Sequence, residues 1–222
     1  PHFPYAAQIW RSMWEREYGE NISGVIAVDP IALSYILGAV GPITMPPGPE
    51  FDGVQITQEN VVELTESTAY VRFPTERGER KAYLYGIAAA VIQKLTGQLQ
   101  SPRKLLDALG QAASEGRIAV WSAVPAEQEI IETTPLAHIV PDDDAPYAAV
   151  VLNNLAGNKM DYYLRREIQY VADKCDGDMR NSTVTVRLSN TAPDRPLPDE
   201  VAGTMGLVGG IPINAPPGTM VT

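Results

Sequence analysis

A group of basic side chains near the middle of the chain has the residue types and the spacing to bind phosphate. Arg77, Arg80 and Lys81 stand three and four residues apart, and Arg72 lies just upstream. A helix carries residues at this spacing on one side. Guanidinium groups offer planar, paired donors to phosphate, and a helix N-terminus adds backbone N–H groups. The pattern predicts a phosphate-binding surface formed by Arg72, Arg77, Arg80 and Lys81.

The same charges also have an ordinary structural explanation. Glu76 and Glu79 are interspersed with the cations, and mixed charges at the start of a helix most often form only a solvated surface. Cations at a helix N-terminus oppose the helix dipole, at a cost of about 0.3 to 1 kcal/mol each, unless an anion lies there too. The charge pattern alone does not choose between a phosphate-binding surface and an ordinary solvated surface.

The residues before this group are predicted to form a strand followed by a helix. Residues 24–29 are almost wholly apolar and rich in β-branched side chains, which is typical of a central strand buried on both faces. Asp29 can cap a helix that begins at Pro30 and ends near Val40. Residues 42–45 read as extended again, so we expect a crossover between two strands, right-handed if they are parallel.

Two further helices are expected to position the basic residues. The first should begin after Thr57, a good N-cap residue, and run towards Tyr70 and Arg72. The second should begin at Pro74 and Thr75. Its apolar residues recur with helical period and predict a buried stripe of Leu84, Ile87, Ala88, Val91 and Leu95.

The start of the chain is predicted to form an aromatic helix. Apolar side chains recur there with helical period at Ala7, Trp10, Met13, Trp14 and Tyr18. The tryptophans could face a lipid chain. Aromatic stripes at this spacing usually belong to the core, however, so we expect them to pack on the sheet.

The composition shifts from α/β to β after about residue 132. Residues 148–153, 162–171 and 182–188 are alternating or rich in β-formers, with turn residues between them, so we expect antiparallel hairpins. Arg166 interrupts an apolar face of the middle strand. Because a buried, unpaired arginine is too costly to keep, it should pair with a carboxylate, lie at a sheet edge or line a site. We therefore predict an α/β domain, residues 1–132, and a smaller antiparallel β-rich domain, residues 133–222.

Composition excludes several classes of function. The chain has 17 basic and 27 acidic residues, a net charge of −10, which disfavours general binding to nucleic acid or anionic membranes. The single Cys175 excludes an internal disulfide and a cysteine zinc cluster. A Ser-His-Asp triad would have to rest on His138 alone, and the triple aspartate at 142–144 is more typical of a solvated turn than of a cation site. We predict no metal ligand and no evident cofactor.

The ends of the sequence suggest a piece of a longer protein. It begins with Pro1 instead of Met and ends at Thr222 in an apparently extended segment, so we expect the β-rich domain to be truncated. There is no signal peptide and no apolar run long enough to span a bilayer. Any membrane association would therefore come through a segment outside this chain.

Several of these motifs resemble an uncharacterised bacterial family, domain of unknown function 4012. The similarity lies in Gly-Val-Ile-Ala-Val-Asp-Pro at 24–30, Gly-Pro at 41–42, Asn-Val-Val at 60–62 and Asn-Lys-Met-Asp-Tyr-Tyr at 158–163. It covers nearly the whole chain. The family has no assigned reaction, so this resemblance implies a fold and no activity.

A more distant resemblance is to the second half of a LytR-CpsA-Psr domain. The strand at 24–29, Gly-Pro at 41–42, Tyr70 with Arg72, and the basic group at 77–81 follow that family's order. The resemblance implies a partial LytR-CpsA-Psr-like α/β core that binds polyisoprenyl pyrophosphate lipids through arginines and an aspartate. It also implies transfer of glycopolymers to the cell wall with Mg²⁺ assistance. This chain departs from that family's pattern at two positions. Lys81 stands where the family has glutamine, and the acidic position is either Glu76 or absent.

Two functions follow as expectations from the resemblance. The first is an extracytoplasmic cell-envelope protein that binds a polyisoprenyl pyrophosphate-linked glycan and takes part in its transfer to the cell wall, as a phosphotransferase would. The second is a non-catalytic envelope module whose β-rich domain recognises a partner while the α/β part is a platform. Function belongs to the site and not to the fold, so fold analogy does not choose between them.

Overall fold

The computed structural model describes residues 2–48, 51–98, 101–142, 147–154, 157–177 and 179–203. The chain divides into two compact units. Unit 1 comprises Pro1–Ala69 and Gly78–Val151, and unit 2 comprises Tyr70–Arg77 and Leu152–Thr222. The fold is mixed α/β, as predicted, but its described sheets are small and antiparallel. A LytR-CpsA-Psr-like core is not confirmed, and the predicted domain boundary near residue 132 stays a prediction.

The regular elements follow one another along both units. The strands are β1 (Gly24–Val28), β2 (Ile43–Thr44), β3 (Gln55–Ile56), β4 (Ile118–Ser122), β5 (Leu164–Ala172) and β6 (Ser182–Asn190). The helices are α1 (Phe3–Tyr18), α2 (Pro30–Val40), α3 (Val61–Glu63), α4 (Ala69–Arg72), α5 (Arg77–Thr96), α6 (Pro102–Ser114), α7 (Pro125–Glu132) and α8 (Asp199–Ala202). A π-helical segment, Leu64–Thr68, joins α3 to α4.

Strand β1 forms where the apolar run predicted it, but its surroundings differ from the prediction. Its partner among the described residues is β4 alone, antiparallel, with Gly24 opposite Ser122 and Val28 opposite Ile118. Ile26 is 68% exposed. The expectation of a central strand buried on both faces was therefore wrong. A strand is buried on both faces only when other elements cover both faces of its sheet. Here Val25 and Ala27 are half-buried, whereas Ile26 and Val28 on the opposite face are exposed.

Helix α2 confirms its prediction from Pro30 to Val40. Asp29 lies at its N-cap and accepts a hydrogen bond from the Ala32 N–H at 2.8 Å. Gly41 ends the helix with a φ of 83°, a left-handed conformation that glycine adopts without strain. The predicted crossover was wrong, because the strand after α2 is β2, which pairs antiparallel with β3 in a separate sheet.

The helices before the basic group begin a little later than predicted. Asn60, not Thr57, precedes the first helical residue, and its amide fixes the turn by accepting from the Thr57 N–H and donating to the Gln55 carbonyl. In α5, Ile87 and Val91 are buried as expected, while Leu84 is half-buried and Ala88 is exposed. The largest buried side chain of α5 is that of Tyr83, which stacks on Phe51 with ring centroids 5.3 Å apart.

Helix α1 is present, but its aromatic side chains are not core. Trp10 is 48% exposed and Trp14 is 41% exposed, whereas the buried positions of the helix are Pro4 and Ala7. Helix α1 packs on β1 and β4, and the small Ala7 is the side chain that this packing buries completely. The Trp10 ring packs on Phe3 and the Trp14 ring on Tyr18, both within α1 itself. The expectation that the tryptophans pack into the core was therefore wrong.

One core cluster of unit 1 lies between α2, α6 and β4. Ala32, Ala112 and Ile118 are buried there, each from a different element. The half-buried side chains packed around them are Tyr35, Leu109, Val120 and Leu136. Small residues on α2 and α6 allow the two helices to approach closely.

Unit 2 contains the predicted antiparallel hairpin, β5 paired with β6 from Leu164 opposite Asn190 to Ala172 opposite Ser182. Residues 148–153, which were expected to be β, form no strand among the described positions. Arg166 is exposed on a strand of a two-stranded sheet, so it lies at a sheet edge, one of the expected alternatives. A small cluster of Met160, Tyr163 and Val201 forms the core beside the hairpin.

Candidate functional site

Three of the predicted phosphate-binding residues lie in the first five positions of α5. Arg77 and Lys81 are exposed, and Arg80 is half-buried. Their spacing of three and four places them on one side of the helix. Arg72 lies at the end of α4, with its guanidinium carbon 5.3 Å from the centre of the Phe73 ring. Arg72 and Arg77 belong to unit 2, and Arg80 and Lys81 to unit 1, so the placement of Arg72 with the other three stays a prediction.

The residues just before α5 set its charge environment. The Arg77 N–H donates to the Thr75 carbonyl at 3.0 Å. The Glu76 carboxylate turns back and accepts from both the backbone N–H and the hydroxyl of Thr75, at 3.2 and 3.0 Å. Arg72 and Arg80 each have a partner of their own, whereas Arg77 and Lys81 are exposed cations. Among the described residues of this helix start, these two side chains are the most accessible to an anion.

Unit 1 also contains a network of polar side chains that the sequence analysis did not predict. Arg117 Nη1 lies 2.9 Å from Asp29 Oδ2, and Arg117 Nε lies 3.3 Å from Glu115 Oε2. The Tyr35 hydroxyl donates to Glu115 Oε2 at 2.8 Å, and the Gln111 side-chain amide donates to Glu115 Oε1 at 3.0 Å. We call these five residues the Asp29–Arg117 network. It links the end of β1 and the start of α2 to the turn between α6 and β4.

Hydrogen bonds shift the pKa values of this network in consistent directions. The bond from Gln111, followed by that from Tyr35, lowers the pKa of the Glu115 carboxyl below its usual value. The same bond to Glu115 raises the pKa of the Tyr35 hydroxyl. The bond to Asp29 raises the pKa of Arg117. Glu115, Tyr35 and Arg117 therefore keep their ordinary charges at neutral pH, which fits a structural link better than an acid or base in catalysis.

Sequence reasoning could find only part of this network. The position of Asp29 before Pro30 predicted its capping role. The ion pair joins residues 88 positions apart, and the bond from Tyr35 to Glu115 joins residues 80 apart. No local pattern in one sequence predicts contacts at such separations.

His138 does not assemble a nucleophilic site in the described structure. Its φ of 46° is left-handed, and its carbonyl accepts from the Phe3 N–H at 3.0 Å. Nε2 is buried and has no hydrogen-bond partner among the described residues. The ring lies against Gly116, where a Cβ atom would approach within 3.1 Å of the imidazole. This contact explains a small residue at 116 and adds no reactive partner to His138.

A surface groove with a volume of about 710 Å³ lies along α1. Its walls combine three large apolar side chains with polar ones: Tyr5, Gln8, Ile9, Ser12, Met13 and Arg16. Tyr5, Ile9 and Met13 recur every four residues and are 67%, 59% and 54% exposed. The groove holds one cation and no described carboxylate, so it suits an apolar partner better than a charged small molecule.

The described residues include neither a cluster of metal ligands nor a helix that could span a membrane. No group of three or more histidine, cysteine, aspartate or glutamate side chains lies close enough together there to hold a metal ion. The helices of the same residues include none with the length and apolar character needed to cross a membrane.

Comparison with known proteins gives one partial match. Residues 1–70 match a family model described as "Protein of unknown function (DUF4012)". The match contains β1, Asp29 and α2, and it ends at Tyr70, before the basic residues of α5. No curated protein and no solved structure matches the chain. The similarity to the uncharacterised family is thus found for the first third of the chain, and the resemblance to LytR-CpsA-Psr domains receives no support from these comparisons.

Proposed function

We propose that the chain as a whole belongs to the DUF4012 family and acts in the bacterial cell envelope, outside the cytoplasm. There it binds a polyisoprenyl pyrophosphate-linked glycan through Arg77, Arg80 and Lys81. The observation that supports this proposal is the placement of three cations on one side of the first turns of α5, in a chain whose net charge is −10.

The physical case rests on the position of these charges in the helix. The first N–H groups of a helix have no partner within it, and their partial positive charge adds to that of the side chains. The side-chain charges and the positive end of the helix repel one another unless an anion lies between them. A pyrophosphate supplies several acceptor oxygens within a few ångströms, so it can accept from side chains and backbone at once.

Participation in glycan transfer is a further part of the proposal. A transferase must stabilise the charge that develops on the leaving phosphate, and Arg77 and Arg80 are of the right type to do so. Mg²⁺, which the resemblance implies, requires oxygen ligands such as carboxylates. The described residues include no cluster of three or more acidic, histidine or cysteine side chains, and we assign no step to the metal.

The test is a binding titration, measured by isothermal titration calorimetry, with farnesyl pyrophosphate, a short polyisoprenyl pyrophosphate. Each charge-assisted contact contributes about 1.5 to 3 kcal/mol, so Arg77→Ala and Arg80→Ala should each weaken binding at least about tenfold. Farnesol, which lacks the phosphates, should bind no better to the parent than to the variants.

The matched control uses another pair of cations at a helix start. Arg103 and Lys104 are exposed in the first turn of α6, and the single variants Arg103→Ala and Lys104→Ala each remove one positive charge, as the α5 variants do, without changing α5. This control should bind as the parent does. Equal losses in both sets would mean general electrostatic attraction, and no loss in either would refute the site.

A second candidate is a non-catalytic envelope module. It is favoured by the exposed stripe of α1, which would place the partner on the α/β part and not, as the sequence led us to expect, on the β-rich domain. Tyr5, Ile9 and Met13 present a row of apolar side chains that a protein partner could cover. Under this proposal Ile9→Lys should abolish capture of a partner from envelope extracts. It should leave farnesyl pyrophosphate binding unchanged, which separates the two candidates.

A further inference from the structure

Among the described residues, the β5–β6 hairpin has no strand paired at either of its edges. Each strand is nine residues long, and no third strand pairs with either within the described part of the chain. All of β6 is exposed except the half-buried Leu188. A two-stranded hairpin is at best marginally stable in water, and an open edge is a template for another strand.

Hydrogen bonds at the two ends of the hairpin show which backbone groups face outward. The Thr191 N–H donates to the Tyr163 carbonyl at 2.8 Å, and the Asp173 N–H donates to the Asn181 carbonyl at 2.9 Å. Directly opposed residues in an antiparallel pair alternate between bonded and non-bonded pairs. In the register of this hairpin the bonded pairs are therefore the odd-numbered residues. The even-numbered residues of β6 direct their N–H and C=O groups away from β5.

The two free edges differ in charge. Strand β5 carries Arg165, Arg166 and Glu167, whereas β6 carries only Arg187, and that guanidinium lies 2.9 Å from the Glu167 carboxylate. Charged side chains are a common protection of edge strands against pairing. The β6 sequence, Ser-Thr-Val-Thr-Val-Arg-Leu-Ser-Asn, has no proline or glycine and is rich in β-branched residues, which favour strand pairing.

We propose that β6 pairs antiparallel with β6 of a second copy of this chain, around a two-fold axis at Val186, to form a four-stranded sheet. Val186 then lies opposite Val186 of the other copy and Val184 opposite Leu188, all on one face. Thr185 lies opposite Arg187 on the other face, so the two arginines do not oppose each other directly. This register pairs all nine residues of the strand.

The same register satisfies the outward backbone groups. Val184, Val186 and Leu188 each present one N–H and one C=O outward, so the pairs that they form give six hydrogen bonds between the copies. A nine-residue strand is about 30 Å long. Pairing along it buries on the order of 1,000 Å² in total, near the lower limit for a specific interface. We therefore expect a weak dimer that forms in a concentration-dependent way.

The proposal is tested on the whole 222-residue chain by analytical ultracentrifugation. The parent, of 24.1 kDa, should pass from monomer to dimer as its concentration rises. The variant Val186→Lys places two positive charges opposite each other at the two-fold axis, and Val186→Glu places two negative charges there. Each variant alone should dissociate at least tenfold more readily than the parent. An equimolar mixture in which one variant is uniformly ¹⁵N-labelled should recover a heterodimer, which native mass spectrometry then identifies by its intermediate mass.

A proline pair provides the structural control. Val186→Pro removes an outward N–H from β6 and should weaken the dimer at least tenfold, while Ile168→Pro removes an outward N–H from β5 and should leave it unchanged. Hydrogen exchange of the odd-numbered amides of β6 verifies that the hairpin persists in both variants. A parent that stays monomeric at millimolar concentration overturns the proposal. So does open-ended polymerisation, or a dimer that both lysine and glutamate variants retain.

Discussion

Replacing Asp29 by alanine is expected to destabilise unit 1 by about 2 kcal/mol, because this side chain has two separate functions. Its Oδ1 accepts from the Ala32 N–H at 2.8 Å, and loss of such an N-cap costs about 0.5 to 2 kcal/mol. Its Oδ2 lies 2.9 Å from Arg117 Nη1. The two side chains are 38% and 31% exposed, so solvent weakens the ion pair to about 0.2 to 1 kcal/mol.

Asp29→Asn separates the two contributions. Asparagine is an equally good N-cap residue but carries no charge, so this variant should lose only the ion pair, about 0.5 kcal/mol. A double-mutant cycle with Arg117→Met should give a coupling energy of similar size for the Asp29 charge.

The assay is urea unfolding followed by tryptophan fluorescence. All three tryptophans lie in unit 1, and Trp121 is 7% exposed on β4, directly opposite Val25 of β1. Their fluorescence therefore reports on the unit that contains the mutation. If Asp29→Ala and Asp29→Asn lower the stability equally, the cap contributes nothing and the reasoning is refuted. A loss below about 0.5 kcal/mol for the alanine variant would refute it as well.

Two further predictions concern unit 1. The folded structure lowers the pKa of Glu115 below 4.5, so its stabilising effect is present above that pH and is lost as the pH falls through the lowered value. Glu115→Gln should accordingly be less stable than the parent at pH 7 and equal to it in strong acid; a constant difference across the titration would contradict this. Gly110→Ala in α6, where a Cβ meets nothing within 4 Å, should add about 0.5 to 1 kcal/mol of stability, whereas Gly86→Ala should destabilise, since its Cβ would lie 2.3 Å from the Phe51 ring. Thermal unfolding of the two variants measures this difference, and equal changes in Tm would show that the Phe51 side chain moves aside freely.

The sequence predicted α2 well because every signal for it is local. The cap Asp29, the first-turn Pro30 and the terminal Gly41 lie within 13 residues, and each acts on its own neighbours. The same reasoning recognised β1 as a strand but could not identify its partner. That partner, β4, begins 90 residues beyond the end of β1, and only tertiary packing selects it.

Burial was the least predictable property of the chain. Periodicity identified α1 correctly, yet Trp10 and Trp14 lie largely outside the core. Period alone shows which residues share a face and not whether another element covers that face. For the candidate site, local spacing placed Arg77, Arg80 and Lys81 on one helix. The ion pair of Asp29 with Arg117 depends on a distant contact and was missed.

The most direct test of the proposed function is hydrogen exchange of the parent protein with and without saturating farnesyl pyrophosphate, read by mass spectrometry at the start of α5. We predict that the ligand slows exchange of the amides at 77–81 and that Arg80→Ala removes this protection, while farnesol protects nothing there. Saturable binding that protects other segments and leaves 77–81 unchanged would contradict the phosphate site.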